Sequence, residues 1–229
     1  MKKLIPILIN NSKWLLPIFL VLFLAPFTPY IDLKFSRFFY TQGHFYNPPI
    51  FQFLYKYGEA FGFFVAAISA LLFLLSCLCR SLKEYRYPCL TFLITLIIGA
   101  GLLTNTLFKG YWGRPRPKQL SEFGGTHDYR AFYTPRFFPS EPQKSFPSGH
   151  VAMSFCYLSF CFSFKRQKKV YLYSLALALT LFSGCGLMVA RVAQGGHFFS
   201  DVLFSFALIW LIAYGVDILY RYRLGSCAP

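Results

Sequence analysis

Residues 187–204 read LMVARVAQGGHFFSDVLF. Both flanks are strongly apolar, yet Arg191, His197 and Asp201 fall within the stretch. Titratable groups beside hydrocarbon are costly and need a specific reason to be there. The apolar flanks are too long for a soluble loop boundary and suit the meeting point of two membrane helices, with the polar residues gathered at their ends.

The totals agree. Of 229 residues, 56% are hydrophobic and 14% charged, and the mean hydropathy is +0.47, whereas soluble domains carry roughly 25% charged residues. The expectation is an all-α, polytopic membrane bundle of about six helices, forming one domain over 1–229. Net charge is +15, from 23 Lys and Arg against 8 Asp and Glu. Such an excess serves orientation, anionic lipid or a phosphorylated substrate. Six of the seven cysteines lie in or beside apolar runs and read as small core residues, without metal-ligand spacing or a disulfide framework. The basic start followed by an apolar run lacks a cleavage site of the A-x-A kind, so it reads as a retained first span.

The expected spans are Trp14–Tyr30, Ala60–Cys79, Pro88–Phe108, Ser148–Phe164, Val170–Ala190 and Val202–Tyr220. Lys2, Lys3 and Lys13, then Arg80, Lys83 and Arg86, then Lys165, Arg166, Lys168 and Lys169, then Arg221 and Arg223 all fall on one side. By the positive-inside rule that side is cytoplasmic, with both termini inside. The opposite side is nevertheless basic: Lys109, Arg114, Arg116, Lys118, Arg130, Arg136, Lys144 and Arg191 lie there. Charges that oppose the orientation rule point to another task.

Three pieces on that side hold the unusual chemistry: KGYWGRPRP at 109–117, FPSGHVAM at 146–153 and RVAQGGHFFSD at 191–201. Pro147-Ser148-Gly149 before an apolar run reads as a helix start, with Ser148 available as a cap and backbone donors suited to phosphate. Gly149 allows close approach to the backbone. His197 and Asp201 are four apart, so a carboxylate beside one imidazole nitrogen would leave the other as a nucleophile. His150 would protonate a leaving oxygen. Lys109, Arg116 and Arg191 would neutralise a phosphoryl group.

In this order and spacing, Lys109-x6-Arg116-Pro117, Pro147-Ser148-Gly149-His150 and Arg191-x5-His197-x3-Asp201 resemble the three-part signature of the type 2 phosphatidic acid phosphatase superfamily, covering residues 109–201 by motif. The resemblance implies a phosphohistidine on His197, orientation by Asp201, protonation by His150, and phosphate held by Lys109, Arg116, Ser148, Gly149 and Arg191, with no metal or other cofactor. One departure is visible: the third motif of the family usually begins Ser-Arg, here Ala190-Arg191. WGRPRP followed by EFGG, and GLM leading to QGGHFFSDV, resemble the bacterial lipid A phosphatases. That implies removal of the 1- or 4′-phosphate, with a lean to 4′, at the periplasmic face of the inner membrane.

Undecaprenyl diphosphate and phosphatidylglycerol phosphate are alternative substrates, and a lipid-anion binder or transporter is the non-enzymatic alternative, although a binder needs no pair of imidazoles. His127-Asp128 with His150 and His197 would complete a zinc site, but no short-spaced ligand pair anchors it. Arg114 and Lys118 read as head-group contacts, and Tyr129–Pro142 as an interfacial apron. The expected partner is a membrane lipid with a phosphate head group. No nucleic-acid motif and no obligate protein partner is evident.

Overall fold

The structure is a computed structural model that describes residues 15–137 and 143–226, with side chains described as far as 220. Lys2, Lys3, Lys13, Trp14, the side chains of Arg221 and Arg223, and residues 138–142 lie outside what is described. The protein is a helical bundle in which five helices are long and apolar enough to cross a membrane: α1 (Leu16–Phe38), α2 (Pro49–Leu78), α3 (Arg80–Tyr111), α6 (Val170–Ala193) and α7 (Phe199–Ser226, apolar to Tyr220). A short hairpin of β1 (Tyr40–Thr41) and β2 (His44–Phe45) joins α1 to α2. The expected fourth crossing is two short helices, α4 (Gly149–Phe155) and α5 (Leu158–Arg166). They meet at a tightened turn where Cys156, Ser159 and Phe160 each bond three residues back.

That fourth segment forms the centre of the bundle. Residues 151–159 are all buried, and Val151, Ala152, Phe155 and Tyr157 pack in one cluster with Phe92 of α3, Leu187 of α6 and Ile209 of α7. A helix apolar on every face belongs inside a bundle. Close approach relies on small residues: a Cβ on Gly62 would meet Met153 Sδ at 2.4 Å, and one on Gly99 would meet Ile209 Cδ1 at 2.6 Å. Pro88 inside α3 cannot supply the amide that Glu84 would otherwise accept from. Gln167 Nε2 donates to that carbonyl at 2.8 Å, so the proline defect ties α3 to the α5–α6 turn.

The basic α2–α3 and α5–α6 junctions converge at one end. Lys169 pairs with Glu84 at 2.5 Å. Arg166 pairs with Asp217 at 3.1 Å while stacking on Tyr87 and Tyr220. The three motif pieces gather at the other end. α2 begins eleven residues before its expected start at Ala60, because Pro48 and Pro49 open a helix whose first turns carry Gln52, Tyr55, Lys56 and Glu59 on one face. Cysteines divide by position: Cys89, Cys156 and Cys161 are buried as expected, but Cys77 on α2, Cys185 on α6 and Cys79, in the extended link after α2, are exposed.

Candidate active site

His197 sits in the turn between α6 and α7 and is 1% exposed. Its Nδ1 lies 2.5 Å from the backbone carbonyl of Ser145. A carbonyl only accepts, so Nδ1 carries the hydrogen and Nε2 keeps its lone pair. The Asp201 carboxylate lies 3.8 Å from the same nitrogen, beyond hydrogen-bonding range, so the direct orienting contact comes from Ser145. Asp201 acts on the same assembly: its Oδ2 accepts from Ser145 Oγ at 2.6 Å and from the Phe198 amide at 2.8 Å. Burial, with help from Arg191, pulls the His197 imidazole down to about 4 against the opposing pull of Asp201. The ring is therefore neutral at physiological pH.

Beside it, Arg191, Gly196, Gln194, Arg116, Lys118, Tyr55, Lys56, Asn47 and Gln52 line a cavity of about 480 Å³. The Arg191 guanidinium lies 4.3 Å from the Tyr55 ring centre and donates to Gln194 Oε1 at 2.7 Å, while its buried Nε has no partner. Gly196 makes room for it, since a Cβ there would come within 2.3 Å of Nη2. His150 opens α4, stacked on Tyr55 at 4.7 Å, with Nδ1 3.3 Å from Glu59 Oε1. Burial first, then the charges of Arg191, His197, Lys109 and Arg116, pull its imidazole down to about 3. Ser148 is buried at the start of α4, but its Oγ makes no capping bond and has no partner. Its amide is taken by Ser205 Oγ at 2.8 Å, and Gly149 packs on Asn105. His197, His150, Arg191, Arg116 and Lys109 thus share one polar end, with unpartnered buried donors on Ser148 and Arg191 suited to an anionic oxygen.

Two expectations are corrected. Arg114 is fully buried, not a head-group contact: it donates to Asp201 Oδ1, to Asp32 Oδ2 at 2.7 Å, to Ser200 Oγ at 2.9 Å and to the Arg130 carbonyl at 2.8 Å. Burial alone would favour losing its proton, but Asp201 and Asp32 outweigh it and hold the guanidinium above its ordinary range. The described part of residues 129–142 is only partly the apron expected: Tyr133 and Phe137 are exposed, but the segment also turns inward. Phe132 is buried against Phe146 and Leu203, and the Tyr129 hydroxyl donates to Asp32 at 2.9 Å, because a fully buried carboxylate on α1 has to be hydrogen-bonded. Lys118 lines the cavity with Arg116. Among the described residues no three His, Cys, Asp or Glu side chains group to hold a metal ion.

The motifs did not reveal Asp32, Asn47, Tyr55, Glu59, Asn105, Ser145 or Gln194. The early helix start at Pro48-Pro49, with Gln52, Tyr55, Lys56 and Glu59 spaced for one face, was the one local signal pointing to α2.

A neutral buried imidazole next to Gly196 and Arg191 of a basic cavity, with a second imidazole within its electrostatic reach, inside a membrane bundle, defines an integral-membrane phosphatase. The chain belongs to the PAP2 superfamily, which it matches over residues 89–224. Among its relatives, the lipid A 4′-phosphatase of Francisella tularensis subsp. novicida is 33% identical over 207 residues, covering 84% of this chain and 88% of that protein. The lipid A 4′-phosphatase of Rhizobium leguminosarum is 35% identical over 112 residues, covering 48% of this chain and 45% of that one. No solved structure matches.

Proposed function

We propose that the protein removes the 4′-phosphate of lipid A through a phosphohistidine on His197, without a metal. The observation that carries this reading is the His197 ring, tied at Nδ1 to Ser145 and buried beside Arg191; the substrate follows from the relatives. Nε2 attacks phosphorus, forming the P–N bond as the P–O bond to the sugar breaks, and His150 gives its proton to the departing oxygen. Water then attacks phosphorus and passes a proton to His150 as the P–N bond breaks, releasing inorganic phosphate. Arg191, Arg116, Lys109 and Ser148 hold the phosphoryl oxygens, whose charge rises in the transition state. The acyl chains remain in the bilayer while the head group enters the cavity, so binding positions the reacting atom without extraction. In this reading the motif end faces the periplasm of the inner membrane and both termini are cytoplasmic.

The test is phosphate release from bis-phosphorylated lipid A by purified protein, with mass spectrometry of the product. Loss of the 4′-phosphate is expected, undiminished by excess chelator. His197→Ala lowers the rate by more than about 10³-fold. Release confined to the 1-position, or to undecaprenyl diphosphate, replaces the substrate assignment; equal rates for His197→Ala and wild type remove the mechanism.

A further inference from the structure

α2 carries a pair of side chains at the site that lies outside the residues matched to the superfamily, 89–224. Tyr55 and Glu59 are one helical turn apart and share a face. Both touch His150: the Tyr55 ring stacks on the imidazole with centres 4.7 Å apart at 28°, and Glu59 Oε1 lies 3.3 Å from Nδ1. Tyr55 also carries the Arg191 guanidinium at 4.3 Å, so one ring fixes the spacing between the acid and the phosphate clamp. The charged or chargeable groups whose fields reach His150 from α3, the 112–148 connection, α6 and the α6–α7 turn are Lys109, Arg116, Arg191 and His197. All are basic. Burial, together with these fields, pulls the His150 imidazole down to about 3, so a general acid here must gain its proton with the phosphate bound and hold it until the leaving oxygen needs it, and Glu59 supplies the opposite charge.

We propose that Glu59, seated beside the Tyr55 stack, is a positioning residue that orients His150 and favours its protonated form once the phosphate is bound. This rests on the phosphohistidine reading above. The carboxylate accepts Nδ1–H, which leaves Nε2–H to be donated to the leaving oxygen as its bond to phosphorus breaks. In the second step Nε2 recovers a proton from the attacking water. Glu59 touches no reacting atom.

The test compares two substrates in the full-length protein. A lipid phosphate expels a poor alkoxide and needs the acid; p-nitrophenyl phosphate expels a stable phenolate and does not. Glu59→Gln keeps the shape of a side chain that is 44% exposed and removes its charge. It should lower kcat on the lipid by about 10- to 100-fold, part of the 10²–10⁴ that a general acid contributes, with KM unchanged and p-nitrophenyl phosphate turnover within about twofold. The alkaline limb of the kcat profile should move to lower pH, because the imidazolium has lost its counter-charge, and Glu59→Asp should restore part of both effects. Equal losses on the two substrates, or an unmoved alkaline limb, overturn the proposal. His150→Ala separates the two readings: leaving-group dependence in His150→Ala but not in Glu59→Gln removes the Glu59 role alone, whereas none in either removes the acid assignment and the proposal with it.

Discussion

At the scale of single residues, the site depends on a ring kept neutral by burial and on a glycine kept bare. His197 is pulled from 6.5 to about 4, so it stays deprotonated, with the Nε2 lone pair free, until the pH falls well below the ordinary histidine range. The unfolded chain takes up this proton near 6.5 and the folded one near 4, so stability falls as pH drops through that window. An NMR titration of histidine-labelled protein in detergent should find two imidazoles far below the ordinary range, one with its midpoint near 4 and one near 3; midpoints near 6.5 for all of them would contradict this account of the buried rings. Gly196 faces Arg191 so closely that Gly196→Ala must push the guanidinium aside. Overpacking of this kind costs about 1–3 kcal/mol. The expected outcome is a raised KM and a loss in kcat/KM of roughly 10- to 100-fold, read from steady-state kinetics. A similar logic explains why His197-x3-Asp201 was visible in the sequence while Ser145 was not: i,i+4 spacing is local, but a carbonyl 52 residues away has no local signature.

At the scale of elements, α2 and α4 matter most to the site, and neither is a plain membrane span. α4 and α5 are short and buried where a single apolar crossing was expected, because Ser148–Arg166 fills the bundle centre. α2 extends beyond its apolar run, and the added turns bring Tyr55 and Glu59 to His150. Their placement depends on Gly62, where α2 meets Met153 of α4. Gly62→Leu should separate the two helices, costing about 1–3 kcal/mol, seen as a lower Tm in detergent. It should also reduce turnover of the lipid, since the stack between Tyr55 and His150 loosens. Unchanged Tm and turnover would show that this contact does not set the spacing.

At the scale of the whole molecule, Arg114 joins α1, the 112–148 connection and α7 through Asp32, Ser200 and Asp201. Removing one partner of a buried ion pair leaves an uncompensated charge and costs about 3–5 kcal/mol. Arg114→Met, which keeps bulk and drops charge, should therefore yield little folded protein. Asp32→Asn, more than 160 residues from the α7 groups it meets, should be destabilised in the same direction. Size-exclusion recovery and thermal melts of both variants check this, and wild-type recovery of Arg114→Met would show these buried ties to be dispensable. The network also reaches the turn that carries His197, since Asp201 bonds both Arg114 and the Ser145 side chain whose own carbonyl holds His197.

The sequence by itself determined the membrane bundle, the set of motif residues and their gathering at one end of that bundle, because hydropathy, charge placement and i,i+4 spacing are properties of nearby residues. Only the tertiary structure decided that Arg114 is a buried tie, that Asp201 lies beyond direct bonding reach of His197, and that α2 supplies the partners of His150. Those facts depend on which helices pack side by side, and burial and long-range pairing acquire meaning only once the chain has closed on itself.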